Sequence, residues 1–325
     1  MNLSRNEERE KKLNKDWEFN HSGIFTKDFN GTVAYYKGLG IASDLPRTGP
    51  AWNPEDKAVN VEFDVIPDLS VPEGDPFLYL IYIGDLEFEV LHAPDRIPYG
   101  EMLSYREGVN HFCMSVPDID GETDKLVKKG LRIVQDFHLN DERLEDYLDT
   151  RHYGYIFLSL RTPMTEEMKK RKAGAGIVDW KFLGHTAIVQ DLDKVVEKYQ
   201  YWEIAEFQPE KVIDTRTMSD VQIYGKQPKA EIKARTRTCQ VGDRLMLELV
   251  QPVESDFIYR ETLYRRGEGI IDITFAVNDL EKEKEMLVSK GVNCIYSGTP
   301  KDSGAFAVFD VREKGGDVLI KLKQE

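Results

Sequence analysis

The chain has 325 residues, of which 41% are hydrophobic and 31% charged, and its formal net charge is −14. That length exceeds the roughly 150 residues of one ordinary domain, so two domains with cores of their own are expected, and the balance excludes a disordered or fibrous chain. The acidic excess argues against nucleic acid and anionic lipid as partners. The longest apolar run, Phe77 to Ile83, falls far short of the roughly 20 residues of a membrane-spanning helix, so a small-molecule substrate in a cytoplasmic setting is the expected partner.

Residues 1–16 interleave both signs of charge and lack the apolar centre of a secretory signal, which reads as a charged tail. Four segments then share one grammar of short strand, Asp followed by an apolar residue, amphipathic helix, and glycine or turn. They are HSGIFTKDFNGTVAYYKGLG from His21, HFCMSVPDIDGETDKLVKKG from His111, HTAIVQDLDKVVEKYQYW from His185 and DITFAVNDLEKEKEMLVSKG from Asp272. The step from first residue to Asp is seven positions to Asp28, Asp118 and Asp279, and six to Asp191. Each Asp or its neighbour can cap the following helix, and Leu192, Val195, Val196 and Tyr199 make one apolar helical face. Gly130 and Gly291 follow lysines at their helix ends, as a left-handed cap favours.

Strand-like runs follow each helix and end in an alternating strand at Leu86 to Leu91, Tyr155 to Leu160, Leu245 to Val250 and Val318 to Leu322. Nearly equal intervals separate His21 from His185 and His111 from Asp272, so the chain reads as a doubled pair: a first domain at 17–165, a charged and then Gly/Ala-rich connection at 166–178, and a second domain at 179–325. The first and third units carry long insertions, one through Pro46, Pro50, Pro54, Pro67, Pro72 and Pro76, the other from Pro209 to Arg237, of the kind that covers pockets. Cys113, Cys239 and Cys294 read as buried free thiols. In KAEIKARTRT, Lys229, Lys233, Arg235 and Arg237 share a face with Glu231, either as a solvated edge strand or as a receiver of a substrate anion.

Histidine plus carboxylate, converging from different strands, is the donor set for a divalent first-row metal. Glu89 shares a strand face with Glu87, while Leu86, Phe88 and Val90 face the core; Glu248 holds the matching place in the third unit. Counting from the flanking proline or glycine puts Ser159 and Lys321 at the matching positions of the second and fourth units. His21, Glu89 and His111 thus form a two-histidine, one-carboxylate set. His185, Glu248 and Asp272 form its counterpart, with Asp272 either a ligand or paired to Lys321. His92, His138 and His152 have no repeat partner and read as surface or loop residues. No Gly-rich phosphate loop or nucleophile elbow supports another catalytic class.

This grammar resembles the vicinal oxygen chelate superfamily, which contains glyoxalase I, methylmalonyl-CoA epimerase, extradiol ring-cleavage dioxygenases and bleomycin-resistance proteins. REGVNHFCMSVPDID and RGEGIIDITFAVNDLE are most similar to the epimerase branch, with Asn110 before His111 and Ile271 before Asp272 in place of its usual histidine pair. The resemblance implies an α+β fold of four βαβββ modules in two tandem domains, each a cup-shaped mixed sheet. It implies ligand roles for His21, Glu89, His111, His185 and Glu248 toward a divalent ion such as Fe, Mn, Co, Zn or Ni. The function expected is a metal-dependent isomerase or epimerase, with Glu87 as the base that removes a proton beside a carbonyl. The alternatives are an Fe(II) ring-cleavage dioxygenase using His21, His111 and Glu89, and a non-catalytic ligand-binding protein. Pairing of the first unit with the fourth and the second with the third is open, and a homodimer is compatible with the sequence.

Overall fold

The four repeated aspartates nucleate helices locally. Side chains of Asp28, Asp118, Asp191 and Asp279 accept from the backbone N–H three residues on, at Gly31, Gly121, Lys194 and Lys282. Such caps are worth about 1 kcal/mol apiece, and four at one offset fix where each module turns from strand to helix. The computed structural model describes residues 16–43, 58–61, 78–92, 99–139, 142–228, 231–253 and 258–325. Among them no helix is long and apolar enough to cross a membrane.

The first half contains β1 (Glu18–Phe25), α1 (Phe29–Gly38), β2 (Ala42–Ser43), β3 (Ala58–Val61), β4 (Leu78–Ile83), β5 (Leu86–Leu91), α2 (Tyr99–Tyr105), β6 (Gly108–Ser115), α3 (Ile119–Lys128), β7 (Ile133–Leu139), β8 (Glu142–Asp149) and β9 (Phe157–Arg161). Its nine strands run β2-β4-β5-β1-β6-β9-β8-β7-β3. After the helix α4 (Glu166–Ala173), the second half contains β10 (Lys181–Ile188), α5 (Leu192–Tyr201), β11 (Lys211–Asp214), β12 (Met218–Ile223), β13 (Lys233–Val241), β14 (Leu245–Pro252), α6 (Ile258–Arg266), β15 (Gly269–Val277), α7 (Leu280–Ser289), β16 (Asn293–Pro300), β17 (Phe306–Asp310) and β18 (Leu319–Gln324). Its sheet repeats the plan as β11-β13-β14-β10-β15-β18-β17-β16-β12. The chain is therefore α+β, with two mixed sheets.

In each sheet the two modules meet through their first strands, antiparallel: β1 on β6, and β10 on β15. This register excludes the cross-pairing of first with fourth and second with third units. The proline-rich part of the first insertion lies outside the described residues. The second insertion contributes β11, which covers β13, and β12, which crosses to pair with β16. The basic stripe on β13 is thus not at an edge, and Arg235 is engaged by Asp193 and Glu210.

The largest apolar core is shared by both halves. Phe19 of β1 stacks on Phe182 of β10, ring centroids 4.9 Å apart. Two smaller apolar clusters line the insides of the sheets: Phe25, Leu91, Met102, Leu103, Val134, Tyr147 and Phe157 in the first half, and in the second a set that includes Ile258, Tyr259, Tyr296 and Phe306. Residues of α2 and α6 take part in these clusters, so the helix preceding each second module closes one end of its cup.

Candidate metal centre

Strand alternation and register decide which side chains enter the first cup. Gly23 of β1 sits between Glu89 of β5 and His111 of β6, so both side chains project beside a residue that has none. A Cβ at Gly23 would lie 1.8 Å from the His111 ring. His21 enters from the same strand. Its Nε2 lies 3.1 Å from His111 Nε2 and 3.3 Å from Glu89 Oε2, and His111 Nε2 lies 3.7 Å from that same oxygen. These three donors converge within reach of one ion. Cys113 and Glu145 form a second such grouping with His21.

The far nitrogens of both rings are held. His21 Nδ1 lies 3.0 Å from Asn20 Oδ1, and His111 Nδ1 lies 2.5 Å from Asn110 Oδ1. Lys172 Nζ donates to Asn20 Oδ1 at 2.8 Å, which requires an oxygen there and makes His21 Nδ1 the donor. With Nδ1–H committed, Nε2 presents a lone pair, the tautomer a metal-binding imidazole needs. With the Asn110 oxygen likewise facing His111 Nδ1, two lone pairs and a carboxylate oxygen crowd one point, an arrangement that a bound cation relieves. Asn110 Nδ2 is buried without a hydrogen-bond partner among the described residues.

Charge around the donors is mixed. Burial lowers His21 well below the usual imidazole range, helped by His111, and takes His111 down to about 4. Both rings are neutral and available as ligands at physiological pH. Burial, with Glu87 nearby, pushes Glu89 up to about 7. Glu145 Oε1 lies 3.9 Å from His21 Nε2 and accepts from Ser159 Oγ at 2.5 Å, while its other oxygen is 3.8 Å from Arg161. Burial works against the Arg161 cation, but Glu145 and its neighbours outweigh that and hold it protonated. Tyr147 OH lies 3.2 Å from His111 Nε2.

Glu87, expected as the base, shares the face of Glu89 but is engaged by Tyr82 OH at 2.6 Å and Lys172 Nζ at 3.4 Å. Glu145 is the further carboxylate that reaches the donors. Lys172 belongs to α4, inside the stretch read as a plain connection. Asn20, Glu145, Tyr147, Arg161 and Lys172 are not among the residues expected at the site, and Asn110 is expected only as a departure from a histidine pair. The repeated Asn-His dipeptide was a legible signal for the first pair, and period-two spacing from Ser159 was one for Arg161. Nothing local marks Lys172, whose role comes from where α4 folds back.

The second cup differs. Matching β1/β6 with β10/β15 by register places Gly184, not His185, at the position of His21; His185 corresponds to Ser22. His185 therefore points the other way, toward the first half, where its Nε2 lies 2.7 Å from Ser22 Oγ. Burial lowers it to about 4. The expected metal set of His185, Glu248 and Asp272 does not form a donor cluster among the described residues. Glu248 and Asp272 do occupy the places of Glu89 and His111. Lys321, in the place of Ser159, donates to Glu248 at 3.1 Å. Thr274 donates to Asp272 at 2.9 Å. Burial pushes Asp272 up against the pull of Lys321. An ammonium thus stands where the second cup would need a cation.

No family model matches the sequence, and no curated protein matches it. Solved structures do. A triple mutant of 4-hydroxymandelate synthase from Streptomyces coelicolor superimposes with TM-score 0.64 at 11% identity, covering 95% of this chain and 93% of that one. A xylose isomerase-like TIM barrel/4-hydroxyphenylpyruvate dioxygenase fusion protein gives 0.57 at 10% identity, covering 96% of this chain and 50% of that one. Methylmalonyl-CoA epimerase from Mycobacterium tuberculosis gives 0.35 at 21% identity, over 44% of this chain and 87% of that one. At 11% and 10% identity the first two likenesses speak to architecture alone, and by them the chain has the fold of the vicinal oxygen chelate superfamily.

Proposed function

We propose that the chain is an iron(II)-dependent oxygenase in which His21, Glu89 and His111 hold the metal and an organic substrate with two neighbouring oxygens is oxidised by dioxygen. The observation that carries this reading is the donor set: two imidazoles and one carboxylate, with the fourth candidate position filled by Ser159, which is engaged by Glu145. Two histidines and one carboxylate with open positions suit non-haem iron(II) and leave room for substrate. When bound, iron(II) supplies electrons to dioxygen and Lewis acidity to the substrate oxygens.

The protein's own groups do the rest. Asn20 and Asn110 keep the Nε2 lone pairs of His21 and His111 aimed inward. Glu145 Oε1 receives the proton a substrate hydroxyl gives up, and Tyr147 OH donates to a substrate oxygen beside His111. Arg161 and Lys172 offset the buried carboxylates, so a divalent ion leaves the cup able to accept an anion. A second reading, metal-dependent isomerisation, keeps the same ligands and uses Glu145 as the proton-abstracting base in place of Glu87. The position of Glu145 beside His21 favours it.

The test is metal analysis of protein loaded anaerobically with iron(II), followed by oxygen uptake with catechol as probe. Wild type is expected to hold one iron per chain, and His21→Ala and His111→Ala to lose it, with uptake dependent on catechol. Iron retained in both histidine variants would overturn the site. Racemisation of a 2-substituted acyl thioester without oxygen consumption would replace the oxygenase by the isomerase.

A further inference from the structure

Cys113 is a buried thiol of the first cup that the proposed reaction does not use. On β6 it lies two residues past His111, on the same strand face, and it sits opposite His21 of β1 and Ser159 of β9. It is fully buried. Cys239 packs in the apolar core shared by the halves, whereas Cys113 belongs to none of the apolar clusters among the described residues. Its surroundings are donors instead.

One ligand atom each from His21, Cys113 and Glu145 lies within 4.8 Å of the others. His21 Nε2 is 3.9 Å from Glu145 Oε1, and that imidazole lone pair is the one already directed at Glu89 and His111. The two donor sets therefore share His21 and differ in the rest: carboxylate and imidazole on one side, thiolate and carboxylate on the other. The difference is one of softness. A sulfur donor selects ions such as zinc(II) over iron(II), and three protein donors of mixed N, S and O type leave zinc one open position. The thiol gives its proton to solvent as the ion binds, and thiolate plus carboxylate then match a divalent charge. The Glu145 side chain is 14% exposed, so this side of the cup is open to an incoming ion.

We propose that the first cup carries a second metal position, built from His21, Cys113 and Glu145, which takes a thiophilic divalent ion of the zinc(II) class and, by claiming His21, empties the iron position. Occupancy also removes Glu145 from proton transfer, so such an ion acts as an inhibitor. The emptying of the iron position rests on the iron reading of this cup; the thiolate position does not.

The experiment titrates the full chain with cadmium(II), a soft probe of this class whose bond to a thiolate gives a sulfur-to-metal charge-transfer band in the ultraviolet. One cadmium per chain with that band is expected in wild type. Cys113→Ser and His21→Ala should lose the band, while His111→Ala and Cys294→Ser keep it. In protein loaded anaerobically with iron(II), cadmium should release iron one for one, and Cys113→Ser should need more than about tenfold more cadmium, a loss of the size that disturbing a metal ligand brings. The proposal is overturned by no band in wild type, by a band that survives Cys113→Ser or His21→Ala, by its loss in His111→Ala, or by cadmium and iron held together in one chain. A wild type that gives the cadmium band but never holds iron would sink the iron reading and uphold the thiolate position.

Discussion

At the residue scale the first cup depends on a side chain that is absent. Gly23 faces His111 across the β1/β6 ladder, and a methyl there would meet the ring at 1.8 Å. The ring can swing aside, so the fold survives, but Nε2 then leaves the point shared with His21 and Glu89. Gly23→Ala is expected to weaken metal binding by about 10–100-fold, the range seen when ligand orientation is lost, with little change in melting temperature. Metal competition with a chromogenic chelator measures it, and a wild-type affinity would show that His111 is not a ligand. The histidines also show what a sequence can and cannot tell. His21 and His111 were legible because each opens a capped module at the same seven-residue step to its Asp. His185 opens one at six, and that single missing residue is decisive, since a shift of one in a strand exchanges its faces. Aligning the modules on their aspartates would have put His185 with Ser22.

At the element scale the sites are built by bulges. Asn20 in β1 and Asn110 in β6 are the extra residues at interruptions of the β1/β6 register, and Leu183 and Ile271 are the extra residues of the β10/β15 pair. Neighbouring residues of a regular strand point to opposite faces, whereas a bulge lets an Asn side chain reach the ring of the next residue. The first half uses its bulges to hold imidazoles; the second carries apolar residues there and no ring to orient. The Asn-His dipeptides stand in the sequence, but nothing beside them announces a bulge, so the reach of each Asn onto its neighbour's ring is not legible there, whereas the helices are announced by their caps. The second cup uses β18 to deliver Lys321 to Glu248. Burial alone would raise Glu248, but Lys321 and Lys323 bring it from 4.5 down to about 2. A depressed carboxylate contributes stability that is fully present above its unfolded value and is lost as pH falls through the folded one, so this contribution fades between pH of about 4.5 and about 2. Lys321→Met removes the partner of a buried acid and should cost about 3–5 kcal/mol at neutral pH. Without that cation Glu248 and Asp272 rise, so mild acidification should recover more stability in the variant than in wild type. Melting temperatures from pH 4 to 7 check the sign.

At the scale of the whole molecule the two halves clasp each other through equivalent turns. In the β4/β5 turn, Asp85 accepts from Phe182 N at 2.6 Å and its own N donates to Trp180 O; in the β13/β14 turn, Asp243 accepts from Phe19 N at 2.7 Å and its N donates to Trp17 O. Each turn has a left-handed glycine pressed against the other half's tryptophan carbonyl: a Cβ at Gly84 would lie 2.1 Å from Trp180 O, and one at Gly242 2.5 Å from Trp17 O. Such reciprocity is that of a two-fold interface written within one chain. It also bears on the metal centre, because the strand that carries His21 and Gly23 presents Ser22 to His185 on its opposite face. Since one apolar core spans the halves, wild type is expected to unfold in a single calorimetric transition. In Gly84→Ala with Gly242→Ala, each methyl must adopt positive φ and push a backbone carbonyl away, at about 1–3 kcal/mol per site from the backbone alone. The clasp should then open before either sheet melts, splitting the transition in two and loosening iron from the first cup. A single transition with iron retained would mean that the halves are held by their shared core and not by these turns.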